Sequence, residues 1–425
     1  MLVVADEVSA DQEVTAVIWT LAAQGRDPLL VFERVNGTRV VTNIFASRRR
    51  IARLLGCEVS RIHQTYQEKS RKAVDPKLVK TGPVLEVVEE SIDLKKLPLL
   101  KHFETDRAPY ITNGIIAAEN NLSYHRAMLH SKTELATSLH SRGHLWRLLE
   151  MAKEKKQPLP VAMVVGAHPL FMLAASARLA FGADERRVAG GLLGEPLEII
   201  QTPKYRIGVP AAAEIVLEGT IDPEAKVEEG PFGEFTGYSS NRTTNNLFRV
   251  ETVLRRKDAI LVDVAGGNSP EHLNLSRVPR ESEMAEKLME RFPSVTALHY
   301  PNSGVHFHAY VALRQRREGE ARQVMLGLLG WDPYLKTVIA VDEDVDITRD
   351  EEVLWALATH FQPHRDVIIV DGLPGNALDP SASPTGTTSR MGLDATRGPG
   401  FEGARARISD AAMARAAQIL RKAST

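Results

Sequence analysis

Beyond residue 300 the sequence alternates strand and helix patterns, and few folds accommodate that. VHFHAYVAL (305–313) reads as a strand and EGEARQVMLGLLG (318–330) as a helix. LKTVIAVDEDVDI (335–347) is a strand pattern, RDEEVLWALATHF (349–361) a helix and HRDVIIVDG (364–372) a strand. Such alternation predicts an α/β domain with a largely parallel sheet. The Pro-, Gly-, Ser- and Thr-rich stretch 373–390 reads as a long loop, and a last helix is expected over about 409–423. Strand patterns dominate residues 83–270 instead: 158–166, 198–210, 213–221 and an apparent hairpin at 250–267. One helix interrupts them at 144–156, with Leu145, Leu148, Leu149 and Ala152 on one face. Many strands with short turns suggest a barrel or sandwich. The first 80 residues are mixed: a helix over 11–25, strands 28–35 and 38–45 around Asn36-Gly37, and a helix over 47–56.

The expected organisation is a small N-terminal α/β segment (1–80), a central β-barrel-like domain (81–280), a connecting helix (281–293), a C-terminal α/β domain (294–400) and a terminal helix (401–425). Lys plus Arg total 53 and Asp plus Glu total 54, a net charge of −1 that argues against holding nucleic acid by bulk charge. Cys57 is the only cysteine, so an internal disulfide or a Cys-based zinc site is excluded. No stretch of about 18 apolar residues is present, so no membrane span is expected. The start MLVVADEVSADQ lacks a basic segment followed by an apolar one, and a cytoplasmic location is the simplest expectation. P-loop, HExxH, GxSxG and helix-opening GxGxxG motifs are absent.

The sharpest local feature is EEGPFGEFTGY (228–238). Gly230, Pro231 and Gly233 make a tight loop that can bring Glu229 and Glu234 to one point. Neighbouring carboxylates disfavour ionising together, which suits a proton donor; the competing reading is a solvated acidic turn. In NNLSYHRAMLHS (120–131), Arg126 can clamp a carboxylate and Asn121 can ligate a hard cation, or both belong to a polar hairpin end. His144 opens its helix and Glu185 lies in FGADERRVAGG; each alone is as readily structural. His306 and His308 would share a strand face, and Asp342, Glu343, Asp344 and Asp346 end a strand. Both clusters read as structural or solvated, since no motif supports a metal.

In order, EGPFGE, NLSYHR, HLWRLLEMA and DERRVAGGLLGEPLEII resemble the UbiD family of prenylated-flavin-dependent decarboxylases over roughly residues 80–400. The resemblance implies that Arg126, Glu229 and Glu234 form a catalytic ion-pair network. It implies that Asn121, His144 and Glu185 hold Mn²⁺ or Mg²⁺ bridging to the cofactor phosphate, with K⁺ often nearby. Thr112, Ser123, Tyr124, His125 and Ser176 would line prenylated FMN. Arg390 stands where the family usually has a phosphate-facing Lys. The implied reaction is reversible, non-oxidative decarboxylation of a small aromatic or heteroaromatic acid of indole, pyrrole, furan or phenazine type. Acrylic, cinnamic or 4-hydroxybenzoate-like acids are the alternative. CO₂ leaves, Glu234 or Glu229 returns a proton to carbon, and Arg126 orients the carboxylate.

Pocket residues are expected from 272–281, 299–308 and the C-terminal loop. A flavin prenyltransferase would supply the cofactor, and a homodimer or trimer of dimers is implied. Glu234→Gln and Arg126→Ala are both expected to abolish CO₂ release with the fold intact. Rival readings are an FMN oxidoreductase on a similar barrel and an inactive flavin-binding partner subunit.

Overall fold

A computed structural model describes residues 1–139, 143–240, 245–314, 317–398 and 400–423. At its centre is a curled nine-stranded sheet. Its strands run in the order Tyr110–Ile111, Ala127–Leu129, Glu134–Thr137, Asn245–Arg255, Ile215–Val227, Leu159–Val165, Gly114–Ala118 and Asn121–Tyr124, with Val87–Glu89 paired beside Asn245–Arg255. Leu159–Val165 explains why this sheet sits at the middle of the molecule. Side chains alternate across a strand, and both of its faces are covered. Ala162 and Val164 pack with Ile51, Leu55, Phe171, Val188 and Leu192 on one side. Val161, Met163 and Val165 pack with Leu145, Leu148 and Leu149 on the other. The face predicted for the helix His144–Glu154 is therefore the face it buries.

The N-terminal sheet has the order Leu2–Val8, Leu30–Val35, Thr38–Thr42, Leu261–Val262. The turn at Asn36-Gly37 has φ of 49° and 77°, the left-handed geometry that a two-residue hairpin needs. One strand is added to the expected set here, and one expectation changes. Leu2–Val8 is a strand, paired parallel to Leu30–Val35. The stretch 250–267 is not a hairpin, because Leu261–Val262 leaves its neighbour and pairs parallel with Val40 and Val41. Likewise 198–210 is two short antiparallel strands, Glu198–Gln201 and Gly208–Pro210.

The connecting helix is Pro270–Arg291, 22 residues, and so begins eleven residues before its expected start. Ser269 caps it by accepting the His272 N–H, and Pro270 occupies its first turn, where a missing N–H costs nothing. Two buried carboxylates on this helix fix it to the rest. Glu271 accepts from Thr42 Oγ1 and the Asn43 and Phe45 N–H groups at 3.1, 2.6 and 3.1 Å; burial still pushes it up to about 7. Glu281 meets Arg48, His63 and His299 at 3.1, 3.0 and 3.2 Å. Burial alone would raise its pKa, but Arg48 and the histidines hold it well below the usual carboxylate range.

The C-terminal sheet has five strands in the order Val295–His299, His308–Leu313, Thr337–Asp342, Thr387–Ala395, Val367–Pro374. The middle three are parallel and both edges antiparallel. The helix Glu320–Trp331 covers one face and Asp350–His360 the other. The expected loop 373–390 is shorter, because its last residues enter the strand Thr387–Ala395. A helix at Asp410–Ala423 ends the described chain. No helix among the described residues is long and apolar enough to cross a membrane.

Candidate active site

The acid loop lies against the strand end that carries Arg126. Arg126 Nε donates to Glu229 Oε1 at 2.7 Å and Nη2 to Glu229 Oε2 at 3.1 Å, while Nη1 donates to Glu234 Oε1. Burial alone would weaken the guanidinium's hold on its proton; the two glutamates outweigh that and hold Arg126 charged. The carboxylates therefore do not face each other bare, since the guanidinium between them supplies the counter-charge. Glu229 also accepts from Asn245 Nδ2 at 2.7 Å, and Glu234 from Ser240 Oγ at 2.6 Å. The Phe232 ring lies 4.4 Å from the Arg126 guanidinium carbon, and the Tyr110 ring 4.7 Å from Phe232.

The loop is held from behind. Asp106 Oδ1 accepts the Gly233 N–H at 3.1 Å, while its Oδ2 accepts from the His102 and Phe103 N–H groups. None of these groups carries a motif, and sequence reasoning missed them. They show only as lone polar residues buried beside the loop.

Arg126 and Glu234 open onto a cleft of about 390 Å³, whereas Glu229 lies behind Arg126 with its side chain fully buried. Thr112, Ser123, Tyr124, His125 and Ser176 also line it. From the C-terminal side come His272, Leu275, Ser276, Arg280, His306, Tyr334 and Leu378. The segments 272–281, 299–308 and the C-terminal loop thus all reach the cleft. A larger groove of about 1190 Å³, between the helix Ile62–Arg71 and the C-terminal sheet, contains neither Arg126 nor the acid loop.

Thr112 is steadied by a buried relay. Its Oγ1 donates to Asp263 Oδ1 at 2.8 Å, the His102 ring is 3.4 Å from the same oxygen, and Thr15 Oγ1 is 2.8 Å from His102 Nδ1. Burial works against a charged His102, but Asp263, Asp106 and Glu271 outweigh it and raise its pKa above the ordinary value of 6.5. A raised folded-state value means the stabilisation is full below about 6.5 and is lost as pH climbs through the folded value. Thermal stability should therefore fall as pH rises above about 6.5, and His102→Gln should flatten that slope. A pH–melting curve identical in both proteins would contradict the relay.

Asn121 and Glu185 come together: Glu185 Oε2 accepts the Leu122 N–H at 2.8 Å. Asn121 Oδ1 accepts from Ser123 Oγ at 3.0 Å, and Ser123 Oγ is 2.9 Å from His125 Nε2. His144 opens its helix half-buried, its ring 5.5 Å edge-on from Phe181. Glu185 is 2% exposed and makes no ion pair among the described residues, and burial pushes its carboxyl up to about 7. Arg186 beside it turns away to Asp184, Gly208 and Glu119. A buried carboxylate with no ion pair among the described residues, bonded to the strand that carries Asn121, with the helix that His144 opens packed on that same strand, suits a hard divalent ion.

Arg390 does not face the cleft. Its guanidinium is spent on the carbonyls of Leu329, Asp332, Pro333 and Pro374, and it clamps the end of the helix Glu320–Trp331 inside the C-terminal domain. The phosphate-facing role expected for it is withdrawn, since no donor on either terminal nitrogen remains uncommitted. His306 precedes its strand, which starts at His308, so the two histidines share no strand face. The acidic cluster is answered by protein groups: Arg397 bridges Asp342 and Asp344, Arg314 pairs with Glu343, and Asp346 accepts from Thr348.

Three family models match end to end: the 3-octaprenyl-4-hydroxybenzoate carboxy-lyase (UbiD) N-terminal domain over residues 1–70, its Rift-related domain over 77–269 and its C-terminal domain over 274–395. The chain belongs to the UbiD family. This UbiD-family carboxy-lyase is 34% identical to the anhydromevalonate phosphate decarboxylase of Methanosarcina mazei, over 89% of each chain. It is 31% identical to the enzyme of that name from Methanothermobacter thermautotrophicus, over 93% of each. Its fold matches the UbiD-class enzyme HmfF from Pelotomaculum thermopropionicum in complex with FMN (TM-score 0.91, 33% identity, 97% of this chain and 95% of that one). It also matches apo Klebsiella pneumoniae 3,4-dihydroxybenzoic acid decarboxylase (TM-score 0.89, 25% identity, 96% and 94%).

Proposed function

We propose that this UbiD-family enzyme removes CO₂ from an aromatic, heteroaromatic or α,β-unsaturated carboxylic acid with prenylated FMN as its cofactor. The observation that carries the reading is the Glu229–Arg126–Glu234 constellation opening on a cleft. A small aromatic acid remains the first substrate class, supported by the fold shared with 3,4-dihydroxybenzoic acid decarboxylase. A phosphorylated acid that is not aromatic is the second, because relatives at 31–34% identity are named for anhydromevalonate phosphate.

When bound, prenylated FMN supplies an electron sink for the pair left behind by departing CO₂. Arg126 orients the substrate carboxylate with guanidinium donors already fixed by Glu229. Phe232, Phe235, Val264 and Leu275 keep water from the reacting carbon. Glu234, the glutamate on the cleft side, delivers the proton to that carbon; Glu229, behind Arg126, positions the guanidinium. Thr112, Ser123, Tyr124, His125 and Ser176 would line the flavin. Asn121, His144 and Glu185 would hold Mn²⁺ or Mg²⁺, with K⁺ as a further candidate. A flavin prenyltransferase would act as supplier, and a homodimer or trimer of dimers in the cytoplasm is the working assembly.

The test is mass spectrometry of cofactor released anaerobically after co-expression with a flavin prenyltransferase. Prenylated FMN is the expected result. Plain FMN bound to a folded, metal-replete protein, reduced by a nicotinamide, would move the assignment to an oxidoreductase. Elemental analysis of the purified chain should find about one divalent ion per protomer, and Glu185→Gln should lower that occupancy at least ~10-fold through the lost charged ligand. Unchanged metal content in the variant would remove Glu185 from the ligand set.

A further inference from the structure

Among the described residues that line the cleft, none belongs to the N-terminal domain matched over 1–70. That domain nevertheless reaches the site through one short segment, 102–106. The chain just before it is gripped on both sides. The Lys101 N–H donates to Ala10 O at 3.0 Å, the Gln12 N–H to Lys101 O at 2.7 Å and the Tyr110 N–H to Leu100 O at 2.8 Å. Within the segment, His102 Nδ1 lies 2.8 Å from Thr15 Oγ1 on the helix Glu13–Ala23. The Phe103 ring meets Trp19 of the same helix, with centroids 5.5 Å apart.

The two polar ends of the segment serve different walls of the cleft. At one end, the His102 ring stands 3.4 Å from Asp263 Oδ1, the oxygen that holds the Thr112 hydroxyl at 2.8 Å. At the other, Asp106 Oδ1 accepts the N–H of Gly233, the residue before Glu234, at 3.1 Å. Asp106 Oδ2 turns back to the His102 and Phe103 N–H groups at 3.2 and 3.1 Å. Three N–H groups thus converge on one side chain, and only a side chain that accepts on both oxygens satisfies them. Thr112 and Glu234 face the cleft, whereas Thr15, His102, Asp106 and Asp263 lie behind its walls, each 4% exposed or less. A segment needed for packing alone would bury apolar side chains. This one buries an imidazole and a carboxylate, groups that are costly to desolvate unless bonded, and each is bonded toward one wall.

We propose that His102 and Asp106 are positioning residues: the segment they bound sets the spacing between the proton-donor loop and the flavin-lining wall, with the N-terminal domain as its base. The proposal rests on the decarboxylase reading above, in which Glu234 gives the proton and Thr112 lines the flavin. It adds to that reading a task for the N-terminal domain and for two residues outside the cleft.

The two ends predict different losses. Asp106→Asn keeps the volume but offers one acceptor where two are used, so its amide nitrogen must face an N–H. In the full chain loaded with prenylated FMN, kcat should fall about 10- to 100-fold with KM and cofactor content near wild type, the signature of a displaced donor. The Gly233 amide should exchange its hydrogen about 10-fold faster, for the loss of one hydrogen bond. Thr15→Val removes only the hydroxyl that meets the His102 ring. FMN, used as the probe, should bind about 2- to 10-fold more weakly, with turnover per loaded site unchanged, and Thr15→Ser should restore the binding. Unchanged Gly233 exchange in Asp106→Asn, or Thr15→Val binding FMN as the wild type does, would overturn the proposal. So would the same mixed loss of kcat and FMN affinity in both variants, which is the mark of general loosening. If Asp106→Asn does not fold, the Thr15 pair still decides. Gly233 exchange reports the Asp106 contact even if no acid loses CO₂, an outcome that would sink the decarboxylase reading alone. A wild-type chain that takes up no flavin would overturn the flavin reading and the His102 arm with it.

Discussion

Glu234→Gln is expected to lower CO₂ release by about 10²- to 10⁴-fold, the contribution of a positioned proton donor, while the protein unfolds at nearly the same denaturant concentration. The asymmetry follows from which atom is used. Ser240 Oγ and Arg126 Nη1 both donate to one oxygen of Glu234, Oε1, and a glutamine Oε1 accepts both. The packing survives and the transferable proton does not. Arg126→Ala is different, and here the structure revises the expectation that it too leaves the fold intact. Glu229 has a fully buried side chain, and without the guanidinium only neutral donors, Asn245 Nδ2 and the Tyr110 hydroxyl, would answer it among the described residues. Removing one partner of a buried pair strands the other charge and costs about 3–5 kcal/mol. Equilibrium unfolding in urea, run beside a CO₂-release assay, separates the two variants. Glu234→Gln with wild-type turnover would remove it as donor, and Arg126→Ala with wild-type stability would mean the glutamates are not held as described.

Local periodicity carried the parts of the fold that depend on it. Leu145, Leu148, Leu149 and Ala152 announce their helix, and these same four are buried. Leu159–Val165 is long and apolar enough to declare a central strand. The failures are non-local or masked by composition. Leu261–Val262 is a two-residue pairing to a strand more than 200 residues earlier, and no nearby residue signals that. Residues 270–280 hide as helix because Pro279 and scattered polar residues break the pattern, although Ser269-Pro270 is a usable start signal.

The site divides the same way. Glu229, Glu234 and Arg126 belong to short motifs, so they were legible. Asp106, His102 and Arg178 are isolated polar residues that acquire meaning only when the chain brings them beside the acid loop or the cleft. Arg390 shows the reverse error: a charge at the expected place in sequence, buried 4% exposed among carbonyls of its own domain.

Gly233→Ala should cost activity far more than stability, and the reason is a ring rather than a backbone angle. A methyl on Gly233 would lie 2.3 and 2.4 Å from Phe103 Cδ2 and Cε2, and one on Gly267 would lie 2.7 Å from Phe103 Cζ. Phe103 is thus wedged between two glycines, one on the acid loop and one on the strand-to-helix connection that His272 bonds. Its outer side meets Trp19, with ring centroids 5.5 Å apart, so the ring has little room to retreat. The segment that yields is the loop. Glu234 is the next residue, and displacing it by about 1 Å is enough for a ~10²-fold loss in kcat. Overpacking at one methyl costs only about 1–3 kcal/mol of stability. Phe103→Leu in the same chain removes the ring edge and should restore most of the lost turnover, a coupling of about 0.5–3 kcal/mol across the double-mutant cycle. A fully active Gly233→Ala, or a double variant no better than the single, would mean that Phe103 does not set the position of the proton donor.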